Sequence, residues 1–101
     1  MILNYHPDAV EELINAAQFY ESRQNNLGHR FLDAVDTALK TIKKNPLIWQ
    51  SDKLDRRKCP VKKFPYLLIY KLNNRIVYIL AVAHTSRKPD YWKSRDRQKE
   101  L

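Results

Sequence analysis

The sequence predicts an α+β domain in which a helical hairpin packs on a mostly antiparallel sheet. Three observations carry this: apolar residues recur at helical spacing through the first half, extended apolar segments fill the second, and 101 residues supply one modest core and no more. The order expected is β-α-α-β-β-β with a short helical turn at the end, in one domain spanning residues 1–101.

Ile2-Leu3-Asn4-Tyr5 reads as a short strand closed by Pro7, whose missing N–H suits the first position of a helix. Asp8, Glu11 and Glu12 favour the positive end of that helix, and Val10, Leu13, Ile14, Ala17 and Tyr20 predict its buried stripe. Asn25, Asn26 and Gly28 interrupt it. Phe31, Val35, Ala38, Leu39 and Ile42 then predict a second helix, antiparallel to the first. Lys40, Lys43 and Lys44 lie near its negative end and Asn45-Pro46 stops it. Its Phe31 and Leu39 are expected to face the last strand.

The period changes to extended at Arg56–Val61 and again at Tyr66–Leu72. Asn73-Asn74 predicts a two-residue turn, because Asn tolerates left-handed geometry, and the next strand is Arg75–His84. That strand is almost continuously apolar, as a central strand covered on both faces would be. Pro89 allows a final helical turn through Tyr91-Trp92. The polar tail from Ser94 to Leu101, about 96–101 above all, is expected to fray.

Nineteen Lys and Arg against eleven Asp and Glu give a net charge of +8, unevenly placed. Residues 1–50 carry five basic and six acidic side chains, whereas residues 51–101 carry fourteen and five. A basic face for a polyanionic partner follows. Its candidates are Arg56, Arg57, Lys58, Lys62 and Lys63 on or beside the first strand of the hairpin sheet, with Arg87, Lys88, Lys93 and Arg95 after the last. The competing structural reading of the first group is an edge strand protected by its charges.

Other classes are excluded by composition. One cysteine, Cys59, forms no internal disulfide, and His6, His29 and His84 have no metal-ligand spacing, so no metal or cofactor is expected. A single glycine rules out a Gly-rich phosphate loop. No apolar run approaches the roughly 20 residues of a membrane span, and the N-terminus lacks a secretion signal, so a cytoplasmic protein without a membrane partner is expected. Cys59 is read as core-facing, and Glu11, Glu12, Asp33 and Asp36 as solvent-facing charge.

The densest chemistry runs from His84 to Arg95. His84, Arg87 and Tyr91 could supply the acid–base and charge-stabilising groups of metal-free RNA cleavage. The plainer reading makes His84 a structural hydrogen-bonder and Trp92 a hydrophobic plug.

Four segments carry a family likeness: Leu27-Gly28-x-x-Phe31-Leu32, then Asn45-Pro46, then Phe64-Pro65-Tyr66-x-x-x-Tyr70, then Ile79-Leu80-Ala81-Val82-x-His84-x-x-Arg87-x-Pro89-x-Tyr91-Trp92. Together they closely resemble the RelE/ParE superfamily of toxins from bacterial type II toxin–antitoxin modules, over residues 1 to about 95. The resemblance implies a microbial-ribonuclease-like fold, growth inhibition or plasmid stabilisation, and a cognate acidic antitoxin. It offers two targets: RelE-like members cut mRNA on the ribosome, and ParE-like members poison DNA gyrase without hydrolysis. On the nuclease pattern, Leu67 and Thr85 stand where phosphate-stabilising arginines would, while Tyr91 matches the catalytic tyrosine and Arg87 a basic neighbour. The two long helices are also similar to those of ParE. A ParE-like toxin is therefore the leading expectation, a ribosome-dependent mRNA endonuclease using His84, Arg87 and Tyr91 the alternative, and a non-catalytic basic binding module the second alternative.

Overall fold

The computed structural model describes residues 1–99, with side chains through Asp96. The elements are β1 (Ile2–Tyr5), α1 (Pro7–Arg23), α2 (Leu27–Lys44), β2 (Arg56–Val61), β3 (Tyr66–Asn73), β4 (Ile76–His84) and α3 (Lys93–Lys99). They form a four-stranded sheet in the order β1-β4-β3-β2, in which β1 runs parallel to β4 and the other pairs are antiparallel. The apolar strand β4 is therefore central, as its composition predicts.

Local chemistry explains the helix ends. His6, in extended geometry, caps α1 by accepting the Asp8 N–H on Nδ1 at 3.1 Å, and Pro7 follows at the first helical position. At the other end of the hairpin Asn26 turns the chain with φ 70°. The Glu21 carboxylate there accepts the backbone N–H groups of Asn26 and Gly28, at 3.1 and 3.0 Å. Gly28 lies inside α2 and not before it, and it is required for packing. A Cβ at that position would stand 2.7 Å from the Ala17 carbonyl, so only glycine lets the helices approach this closely.

Of the expected stripe of α1, Leu13, Ala17 and Tyr20 pack against the core, but Val10 and Ile14 are exposed and the fully buried positions are Ala9 and Ala16. Small side chains on the inner face let α1 lie close over β4. The helices are also distributed differently from expectation: α1 covers β4, and α2 lies over β2. Phe31 accordingly packs among the rings of Tyr20, Phe64 and Tyr66, with centroids 5.1–5.2 Å away. Tyr70, fully buried, donates its hydroxyl to the Pro46 carbonyl at 2.6 Å and so fixes the end of α2 against the sheet.

The β3–β4 hairpin turns one residue later than expected, at Asn74-Arg75, because Asn73 still pairs with Ile76 and Asn74 takes the left-handed φ of 58°. Farther along, Ile69 pairs with Ala81 and Tyr70 with Ile79, which leaves Leu80 as an extra residue in β4. This bulge changes the alternation, so Leu80 and Ala81 both belong to the second face of the sheet with Ile69 and Ala83. Trp92, 3 % exposed, covers that face.

The short C-terminal helix is present but begins later than expected: Tyr91 and Trp92 lie in a turn closed by the Lys93 N–H donating to the Asp90 carbonyl at 3.1 Å, and the helix runs Lys93–Lys99. At the start of the segment expected to fray, Arg95 pairs with Glu12 and Asp96 with Lys71. Positions 100–101 of that expectation lie outside the described residues. Among the described residues no helix is long and apolar enough to cross a membrane, and no group of three or more His, Cys, Asp or Glu is placed to hold a metal.

Candidate functional site

Strand β1 stops at Tyr5, opposite Ile79, so the remainder of β4 has no neighbouring strand on that side. Its open backbone groups are met by side chains. The Val82 N–H donates to Glu12 Oε1 at 3.0 Å, and the Leu80 carbonyl accepts from Arg95 at 3.0 Å. Glu12 and Arg95 are joined in turn by two hydrogen bonds, at 2.9 and 3.1 Å. Tyr91 completes the group by donating its hydroxyl to Glu12 Oε2 at 2.5 Å. Four donors thus satisfy one carboxylate, and the exposed position predicted for Glu12 is corrected: its side chain is 16 % accessible.

Two clefts open beside this network. The larger, about 330 Å³, lies between α1 and the end of β4, and Phe19, Tyr66, His84 and Arg87 are among its walls. The smaller, about 130 Å³, is bounded by Lys58, Leu67, Thr85, Lys88, Tyr91 and Trp92. His84 and Arg87 line both.

The three candidate catalytic residues are therefore brought together, but the polar atoms of Tyr91 and His84 are committed. Burial, and then the hydrogen bond to Glu12, push the Tyr91 phenol far above its ordinary range. Its proton is bound to a carboxylate, and its ring carries the Arg87 guanidinium at 4.0 Å and that of Arg95 at 5.2 Å. His84 Nδ1 accepts the Ser86 N–H at 3.0 Å, which assigns the proton of a neutral ring to Nε2 and leaves no free lone pair for a general base. Leu67 and Thr85 lie in the same small cleft as this trio.

The nine cations proposed for the basic face divide into two groups. Arg56 is buried, ion-paired to Asp52 at 2.9 Å and stacked on Trp92 at 4.8 Å. Arg95 is 11 % accessible and paired with Glu12. Arg57 is half-buried and donates to the Trp49 carbonyl. These three hold the fold together and are withdrawn from the presented surface. Lys58, Lys62, Lys63, Arg87, Lys88 and Lys93 are exposed. Lys93 pairs with Asp90 at 3.4 Å. Cys59, 1 % exposed, faces the core, and burial pushes its thiol up to about 11.

Sequence reasoning missed Glu12 and Phe19. Glu12 lies three residues after Ala9 and four before Ala16, both buried, so its spacing along α1 was the available signal. Phe19 carried none, since an aromatic residue on a helix gives no sign of remaining 49 % exposed.

Comparison with known proteins agrees with this architecture. The model of the ParE toxin of type II toxin–antitoxin systems, parDE, matches residues 3–89. No curated protein sequence matches the chain. A solved structure of the chromosomal ParDE toxin–antitoxin system from P. aeruginosa is similar in fold, with a TM-score of 0.61 at 15 % identity over 85 % of this chain and 97 % of that one.

Proposed function

From the premise that this chain belongs to the ParE toxins of type II toxin–antitoxin systems, we propose that it arrests growth by binding and poisoning DNA gyrase and is neutralised by a cognate acidic antitoxin. The observation that carries this reading is the state of Tyr91. A hydroxyl that donates to a fully satisfied carboxylate is poorly placed to give or take a proton in RNA cleavage. The cleft around it is lined by Lys58, Arg87 and Lys88, but Leu67 and Thr85 in it stand where the resemblance to nuclease members of the superfamily would place two phosphate-stabilising arginines. Its resources suit binding instead: exposed lysines and Arg87, and a helical hairpin that leaves Val10, Ile14, Phe19 and Leu32 exposed.

The ribosome-dependent endonuclease is favoured by one observation, the gathering of His84, Arg87 and Tyr91 around a common cleft. Expression of the free chain, with mapping of mRNA ends, separates the readings. Growth arrest relieved by the antitoxin, with mRNA intact, supports the gyrase reading. Ribosome-dependent cuts that vanish in Tyr91→Phe overturn it, and normal growth at verified soluble expression removes the toxin reading altogether.

A further inference from the structure

The cleft between α1 and the end of β4 contains an unneutralised cation beside an apolar wall. Phe19 and Tyr66 form that wall, together with Val82. The Arg87 guanidinium at its rim is covered on one face by the Tyr91 ring and reaches no carboxylate among the described residues. Glu12, although it lines the same cleft, has both oxygens occupied by Val82, Tyr91 and Arg95 and has none to spare for Arg87. The Asn15 amide also lines the cleft, and Arg23 stands over the exposed Phe19 ring at 4.9 Å.

We propose that this cleft is a subsite for a carboxylate presented next to a large apolar side chain, as an acidic residue beside an aromatic or aliphatic one would be in a peptide segment of a partner protein. The carboxylate pairs with the free edge of Arg87, whose planar fork suits two parallel hydrogen bonds. The apolar side chain fills the space against Phe19 and Tyr66. A phosphate fits less well: its second charge would meet one cation and lie beside the Glu12 carboxylate, and the aromatic wall would contribute nothing to it. The assignment of the partner as the antitoxin rests on the toxin reading; the subsite itself does not.

The test is an NMR titration of the full-length chain with N-acetylphenylalanine, alongside its neutral amide, acetate and inorganic phosphate at matched ionic strength. Saturable shifts of the backbone amides of Phe19, Val82 and Arg87 are expected with N-acetylphenylalanine. Binding should weaken about tenfold for the neutral amide and for acetate, the loss expected on removing either a charge-assisted pair or the apolar contact. Arg87→Gln, at an exposed position, should weaken N-acetylphenylalanine by a similar factor, and Phe19→Ser should do the same. Shifts elsewhere, equal response to the neutral amide, or phosphate binding as well as N-acetylphenylalanine would overturn the proposal. A blank titration in a chain that arrests growth removes the subsite alone. Absence of growth arrest removes the toxin reading and leaves the titration result standing.

Discussion

Glu12 on α1 and Arg95 on α3, 83 residues apart, share two hydrogen bonds at 2.9 and 3.1 Å over the part of β4 that β1 leaves uncovered. The pair does what a longer first strand would have done for the sheet edge, and it fastens the C-terminal helix to the first one. Both side chains are largely withdrawn from water, so neither tolerates loss of the other. Glu12→Ala should cost about 3–5 kcal/mol, the range for stranding one member of a buried ion pair. Urea unfolding measures this, and a variant as stable as the parent would show that the pair is not structural.

Tyr91→Phe removes one of four donors to Glu12 and should lower stability by about 1–3 kcal/mol, as for a hydrogen bond to a charged group. Growth arrest should survive it. Loss of toxicity with the fold intact by circular dichroism would return the hydroxyl to a chemical role.

The exposed lysines should act mainly on the rate at which the antitoxin arrives. Lys58→Glu combined with Lys62→Glu should slow association, measured by stopped flow, and flatten its dependence on salt, since exposed charges steer encounter and are screened. Arg56→Glu should instead unfold the chain, because it reverses a buried charge paired with Asp52. An association rate indifferent to the lysine changes would place the antitoxin on another surface.

Alkaline pH should weaken the fold. Burial pushes Tyr70 up to about 12 from 10.0, against the lowering influence of Arg57, and Cys59 up to about 11 from 9.0. In both, the folded state holds the proton more tightly than the unfolded chain does. Their contribution is therefore complete below pH 9.0 and is lost as pH rises through the folded values. Urea midpoints should fall from about pH 9 upward; midpoints that hold constant or rise to about pH 11 would contradict the burial of these groups.

The elements were legible in the sequence because each rests on local rules: the apolar run of β4, Pro7 at the start of α1 and Asn45-Pro46 at the end of α2. What was not legible depends on distant partners. Which α1 residues are fully buried depends on how closely the helix lies on β4, which favours Ala9 and Ala16 over the larger Val10 and Ile14. The roles of Glu12, Arg56 and Arg95 follow from a strand that ends early, a bulge at Leu80 and a tryptophan folded back over the sheet. The polar tail looked free because the groups that hold Arg95 and Asp96 belong to α1 and β3. For the site, His84, Arg87 and Tyr91 lie close in sequence and line one cleft, while the commitment of the Tyr91 and His84 polar atoms needed three dimensions.

The central claim, that this toxin acts by binding gyrase without hydrolysis, is tested most directly by a supercoiling assay with purified gyrase and the purified chain. The account predicts that supercoiling falls as the chain is added, that cleaved DNA accumulates on the enzyme, and that Tyr91→Phe acts like the parent. Full supercoiling at a large molar excess of folded chain would contradict it.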